Sequence, residues 1–265
     1  MVGLFFTENF IEADGFRMRY VESGSGATLI CVHGGGGLQL TPAHDLLAQK
    51  FRVIAFEMPG FGDSPENQRS TSAEDLARSM NAAISALGIS RYSLMGTSFG
   101  SKIALWMAIL KPEPVETIVL IAPGAIRSVN GPVPTRVSPE EAMKLLYAHP
   151  ERHTDAFYLT PELAAKHGAL TGRLAGPGRD APFEERVAGL TQPVLALFGT
   201  ADKVTPPEGA HLYREILQDC YIMLVYDAAH SIDADRPEAL ASVVADFCAR
   251  KDQFVVRDTS GLIHP

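Results

Sequence analysis

The sequence predicts an α/β protein built on a doubly wound, mostly parallel sheet, and three observations predict it. From residue 28 onward, short apolar runs alternate with amphipathic helical stretches, the order that a parallel sheet covered on both faces requires. One of those runs, Ser93-Leu94-Met95-Gly96-Thr97-Ser98-Phe99-Gly100, passes through a sharp glycine-flanked turn straight into a helix. A chain of 265 residues is also long enough to bury one large core, so a single domain with an insertion is expected.

Taken in order, the runs 5–13 and 16–22 flank Asp14-Gly15, a dipeptide that supplies the positive φ angles of a two-residue hairpin, so the sheet opens with an antiparallel pair. Strand 28–32 ends in His33-Gly34-Gly35-Gly36-Gly37, whose bare backbone lets a substrate approach closely. A helix over 42–49 leads to strand 51–56, and Glu57-Met58-Pro59-Gly60-Phe61-Gly62-Asp63-Ser64 reads as a turn built from Pro and Gly. Residues 72–87 form an amphipathic helix with Ser72 as N-cap, Asp75 in its first turn and Gly88 beyond its end. Helix 99–110 carries Ile103, Leu105, Trp106, Met107 and Ile109, side chains expected on the sheet rather than on a ligand. Strand 115–121 follows, with no carboxylate after its end.

Between about 126 and 187 prolines punctuate the chain and no strand pattern occurs. Short helices are expected there, opened by Ser138-Pro139-Glu140-Glu141, Thr160-Pro161-Glu162 and Pro182-Phe183-Glu184-Glu185. His149, His153 and His167 match no metal-ligand spacing and are expected at the surface, without a role. The sheet pattern resumes at 193–198 and again at 221–226, and a helix over 238–250 closes it.

Net charge is −8 with Lys and Arg scattered, which argues against nucleic acid as a partner. The N-terminal stretch lacks a basic region followed by a long apolar run, so no membrane association and a cytoplasmic location are expected. Cys31, Cys220 and Cys248 lie in apolar settings, read as buried thiols without disulfide or metal. No cofactor and no metal are expected; the expected partner is a small-molecule substrate.

In a strand-to-helix turn this tight, side chains at 96 and 100 would collide with the central residue, and glycine at both positions removes that collision. The turn lifts the Ser98 hydroxyl above the sheet and leaves the Phe99 N–H at a helix N-terminus, where a reacting oxygen gathers negative charge. Serine is a poor nucleophile without a base in hydrogen-bond reach, and that base needs a carboxylate to fix its tautomer.

Together these stretches resemble the serine hydrolases of the α/β-hydrolase fold superfamily over nearly the whole chain, apart from the insertion and the last dozen residues. The resemblance implies a hydrolase core over 1–125 and 188–265 and a helical cap over 126–187. Gly199-Thr200-Ala201-Asp202-Lys203-Val204-Thr205-Pro206 is similar to the superfamily's Gly-x-x-Asp-x-x-x-Pro acid loop, which makes Asp202 the acid and His230, after the next strand, the base. Asp227, Asp233 and Asp235 are rival acids, but they stand too near His230 in sequence to orient its ring. The second oxyanion donor is implied at Gly35, with Gly36 as the neighbour that replaces it if the four-glycine register slips. His33 is implied as a brace for that loop, and Glu57 stands where the superfamily usually has aspartate.

Serine at the elbow, where dehalogenases and epoxide hydrolases of this fold carry aspartate, points to an acyl-enzyme and to a carboxylic ester as substrate, as in carboxylesterases. Two alternatives stay open. The His-Gly-Gly-Gly run resembles the meta-cleavage-product hydrolases, which cut a carbon–carbon bond, although those continue with Pro-Gly where this chain has Gly37-Leu38. A ligand receptor on the hydrolase fold, with little turnover, is the other. The insertion leaves the sheet just after a strand end, so it is expected to settle near Ser98 and select the ester, with Leu145, Leu146, Phe157, Tyr158 and Leu159 as candidate lining.

Overall fold

The computed structural model of the protein describes residues 5–128, 138–153 and 159–254. Its strands are Thr7–Ala13 (β1), Phe16–Ser23 (β2), Thr28–Val32 (β3), Arg52–Phe56 (β4), Tyr92–Thr97 (β5), Val115–Ile121 (β6), Val194–Gly199 (β7) and Cys220–Val225 (β8). They form one sheet in the order β1-β2-β4-β3-β5-β6-β7-β8. The β1–β2 and β2–β4 pairs are antiparallel and all later pairs parallel. The hairpin turns where expected, with Asp14 and Gly15 both at positive φ.

The helices are Pro42–Ala48 (α1), Ala73–Ala86 (α2), Phe99–Leu110 (α3), Pro139–Leu146 (α4), Pro161–Leu174 (α5), Ala181–Ala188 (α6), Ala210–Ile216 (α7), Ile232–Asp235 (α8) and Pro237–Arg250 (α9). Ser72 caps α2 as expected, with Asp75 completing a capping box, and Ser138 and Glu141 do the same for α4. Helix α6 is capped by Asp180, one turn-residue earlier than the sequence pattern suggests. Neither Gly209 before α7 nor Ser231 before α8 makes a side-chain cap, which is why those two short helices leave no start signal.

Successive strand residues face opposite layers, the period-two consequence of the pleat. Ile30, Val32, Ile54, Leu94, Leu120 and Phe198 meet α2, α3, α6 and α7 on one face. Leu29, Cys31, Val53, Met95, Ile121 and Leu197 meet α1 and α9 on the other. All three cysteines are buried free thiols. Among the described residues no helix is long and apolar enough to cross a membrane, and no cluster of His, Cys, Asp and Glu is arranged to hold a metal ion.

The parallel strands all finish at one edge, so the loops after β3, β5, β7 and β8 meet there. The exit of β6 is fastened by Tyr213, fully buried, whose hydroxyl accepts from the Ile126 N–H at 2.9 Å and donates to the Pro123 carbonyl at 3.1 Å. Tyr213→Phe strands both backbone groups in the interior and is expected to cost about 1–3 kcal/mol. Urea unfolding should give a lower midpoint at an unchanged m-value; an unchanged midpoint contradicts the fastening.

Candidate active site

Ser98 joins β5 to α3 with φ 52° and ψ −115°, a conformation few residues other than glycine adopt. The surrounding backbone over-determines it. Its N–H donates to Ile121 O at 2.8 Å, and its carbonyl accepts from Ser101 N and Gly124 N at 3.1 Å each and from Ser101 Oγ at 2.5 Å. The flanking glycines have a different reason from the one the motif suggests. A Cβ on Gly96 would lie 2.5 Å from the Gly100 carbonyl, and one on Gly100 would lie 2.4 Å from the carbonyls of Val32 and His33. The clash avoided is therefore between strand and helix backbones, not with the side chain of Ser98.

Ser98 Oγ lies 2.9 Å from His230 Nε2, and His230 Nδ1 lies 2.9 Å from Asp202 Oδ2. The carboxylate facing Nδ1 fixes the proton there and leaves the Nε2 lone pair for the serine hydroxyl. Asp202 is itself held: Oδ1 accepts from the N–H groups of Val204 and Thr205 at 2.7 and 2.9 Å, and Oδ2 accepts from Thr205 Oγ1 at 2.7 Å. Burial alone would raise the carboxyl pKa, but the His230 contact and the Thr205 bonds outweigh it and hold Asp202 below the usual carboxylate range. Thr205, also 3.3 Å from His230 Nδ1, is a supporting residue that no motif flagged.

Two of the rival acids are engaged elsewhere, and they explain histidines read as surface residues without a role. Asp227 meets His149 Nε2 at 2.7 Å. Asp235 accepts from the N–H groups of Ala148 and Ala229 and meets His153 Nε2 at 3.0 Å. With Ser231 N–H donating to Leu146 O at 2.8 Å, these contacts stitch the end of α4 to the loop that carries His230. His167 corrects the surface expectation outright, being only 2% exposed. Its Nε2 accepts from Gly62 N–H at 2.9 Å, and its ring packs on Phe61, which also meets His33 edge-on. A Cβ on Gly37, at φ +89°, would come within 3.0 Å of that imidazole. None of this is visible in the spacing of the histidines, since each partner lies far off in sequence.

His33 braces the glycine loop from within: Nδ1 donates to Gly34 O at 2.7 Å and Nε2 accepts from Met58 N–H at 3.0 Å. Of the implied oxyanion donors, Phe99 opens α3 directly after Ser98, and Gly35 lines the same cavity as Ser98 and His230. Gly34 packs against Ser98 Cβ, and Gly35 lies under Thr171 of α5. Glu57 pairs with Arg19 at 3.3 Å and accepts from Ser64 Oγ, a structural contact with the first hairpin.

The cavity over Ser98 has a volume of about 330 Å³. Its walls include Leu38, Met95, Ala142, Leu145, Leu146, Tyr147 and Val204, and among the described residues no Lys or Arg lines it. Leu145 and Leu146 are where the sequence suggested, Leu159 is not part of the wall, and Phe157 and Tyr158 lie outside the described residues. A larger open hollow of about 1370 Å³ at the far side of β7, β8 and α9 touches none of Ser98, Asp202 or His230, so chemistry rather than size locates the site.

A strained serine, an imidazole and a buried carboxylate in one hydrogen-bonded chain, set at the strand ends of this sheet, mark a hydrolase. Residues 27–159 match the α/β hydrolase fold family, and the chain belongs to it. It is 24% identical, over 93% of its length and 92% of the relative's, to the 2-hydroxy-6-oxo-6-(2'-aminophenyl)hexa-2,4-dienoic acid hydrolase of Metapseudomonas resinovorans. A solved serine hydrolase involved in carbazole degradation superposes with a TM-score of 0.74 at 25% identity, covering 92% of this chain and 99% of that one. The naproxen esterase of Bacillus subtilis does so with a TM-score of 0.73 at 18% identity, over 93% and 92%, a likeness of fold alone.

Burial pushes the His33 pKa down from 6.5 to about 4. Between those values the unfolded chain binds a proton that the folded chain refuses. Stability from this group is complete above the unfolded value and is lost as the pH falls toward the folded one, on the order of 3 kcal/mol in all. Urea unfolding at pH 7 and pH 4.5 should show a larger loss for the wild type than for His33→Gln; equal losses contradict a neutral buried brace.

Proposed function

We propose that the protein is a serine hydrolase that cleaves a small-molecule carboxylic ester through an acyl-enzyme on Ser98. The observation that carries this reading is the unbroken chain Ser98 Oγ to His230 Nε2 and His230 Nδ1 to Asp202, 2.9 Å at each link. Ser98 Oγ attacks the ester carbonyl while His230 Nε2 takes its proton, and the new oxyanion is held by the N–H groups of Phe99 and Gly35. Two such donors contribute several kcal/mol of transition-state stabilisation. The carbon–oxygen bond to the alcohol then breaks and His230 returns its proton to the leaving oxygen. Water, deprotonated by His230 in turn, attacks the acyl group, and Ser98 leaves with the proton restored. Asp202 stays ionised throughout and stabilises the imidazolium. Residues 126–187 act as the cap in this proposal, with α4 walling the acyl pocket through Leu145 and Leu146 and α5 pressing on the glycine loop.

The competing reading, cleavage of a carbon–carbon bond in a dienoic acid, draws support from the name of the Metapseudomonas resinovorans relative. The wall chemistry runs against it here: a substrate carboxylate entering this cavity finds no Lys or Arg among the described lining residues, and it finds Asp233. A neutral ester faces no such cost. A receptor with little turnover lacks a use for the hydrogen-bonded chain.

Ser98→Ala should abolish labelling by a fluorophosphonate and lower turnover of p-nitrophenyl esters by several orders of magnitude, and Asp202→Asn should lower kcat by roughly a thousandfold or more while leaving the fold intact. Near-wild-type turnover in either variant contradicts the assignment. Offered a p-nitrophenyl ester and a hydroxy-oxo-dienoic acid side by side, the wild type should show the higher kcat/KM on the ester; the reverse order replaces ester cleavage with carbon–carbon cleavage.

A further inference from the structure

The cavity over Ser98 does not end at the serine. It continues to an inner end bounded by Cys31, Ala55 and Met95, all 4% exposed or less, between α1 and α8. Two polar side chains face it there: His44 from α1 and Asp233 from α8, 7% and 9% exposed. Their electrostatic influence reaches each other, yet no hydrogen bond or ion pair joins them, and Asp233 has no hydrogen-bond partner among the described residues. Its carboxyl keeps a face open to the cavity, where a group that enters can supply the missing hydrogen bond.

The protonation of His44 is fixed from outside the cavity. Its Nδ1 lies 3.1 Å from the N–H of Thr41, which can only donate, and 2.9 Å from Thr41 Oγ1. Nδ1 is therefore the acceptor and the proton of the neutral ring sits on Nε2. Burial holds the imidazole below the usual histidine range, although Asp233 and Asp45 pull the other way, so the neutral form is the relevant one at pH 7. The inner end thus presents one donor, His44 Nε2–H, and one acceptor group, the Asp233 carboxyl, with no bond between them.

Resting on the ester reading above, we propose that this inner end is a hydroxyl-recognition subsite: a substrate hydroxyl donates to Asp233 and accepts from His44 Nε2–H, so the preferred esters carry a hydroxyl on the arm that reaches between α1 and α8. A hydroxyl is the small group that satisfies both partners at once. A methyl group leaves both buried and unpaired, a second carboxylate meets Asp233, and an ammonium satisfies Asp233 but turns a proton toward the His44 N–H. Sites built to bond a substrate hydroxyl discriminate strongly against the analogue that lacks it, because their own polar groups are then stranded.

The test compares p-nitrophenyl hexanoate with its terminally hydroxylated and terminally aminated analogues, and p-nitrophenyl butanoate with its β-hydroxy analogue, rates being normalised to the fraction of Ser98 that reacts with a fluorophosphonate. In at least one pair the wild type should favour the hydroxylated ester by about tenfold or more in kcat/KM, chiefly through KM. Asp233→Leu and His44→Phe should each bring that ratio close to one. A ratio near one in both pairs, a preference for the amine, or a preference that survives both substitutions overturns the subsite while leaving ester hydrolysis standing. Should no ester be turned over, hydrolysis falls instead, and the subsite is still decided by NMR titration of the Ser98→Ala protein with hexanol and hexane-1,6-diol. The affinity for the diol relative to hexanol should drop about tenfold on adding Asp233→Leu; an unchanged relative affinity overturns it.

Discussion

The backbone at Ser98 is the constraint on which the rest of this structure depends. A non-glycine residue at φ 52° costs about 1–3 kcal/mol and persists only where its neighbours leave it no alternative. Here the N–H is tied to β6, the carbonyl is tied to the turn of α3 and to Gly124, and α3 approaches the ends of β3 and β5 so closely that positions 96 and 100 admit no Cβ. The strain holds the hydroxyl clear of the sheet, in line with an imidazole delivered from the loop after β8 and a carboxylate from the loop after β7. Rigid packing of the parallel sheet fixes those loop origins, and the loops themselves add the short polar contacts.

The segment between β6 and β7 is tied to this centre by polar contacts as well as by apolar packing. Asp227 and Asp235, near His230 in sequence, serve to anchor the segment after α4 through His149, His153 and the Ala148 N–H. On the opposite side, His167 of α5 accepts from Gly62 and packs on Phe61, while Lys166 donates to the carbonyls of Gly62 and Ser64. The His33, Phe61 and His167 rings form a continuous run of contacts, edge-on and then tilted, from the glycine loop through the 57–64 turn to α5. Helix α5 therefore bears on the loop that carries Gly35, the proposed oxyanion donor, both through these rings and through Thr171.

Much of this was legible in the sequence because it is local. The hairpin at Asp14-Gly15, the Ser72 and Ser138 caps, the alternation of strands and helices and the glycine-flanked turn all follow from neighbouring residues. The Ser98, Asp202 and His230 contacts were legible for a different reason: each residue follows an apolar strand, and parallel strands bring their ends to one edge. What stayed hidden depends on side chains meeting across the fold. His167, His149 and His153 looked like surface residues because their partners at Gly62, Asp227 and Asp235 lie tens of residues away. His44 gave no signal and Asp233 stood out only as a rival acid, since neither sits in a motif and only the packing of α1 beside α8 turns them toward one cavity. The reason for glycine at 96 and 100 was also out of reach, because the colliding carbonyls belong partly to β3.

The central claim is that Ser98 carries the acyl group, and trapping that species tests it most directly. Protein mixed with excess p-nitrophenyl acetate and quenched in acid within the burst should yield, on digestion and mass spectrometry, the acetyl group on the peptide that contains Ser98, in close to one-to-one stoichiometry with the p-nitrophenol released in the burst. Turnover with no acetylated peptide and no burst, or an acetyl group that settles on another residue, would contradict it.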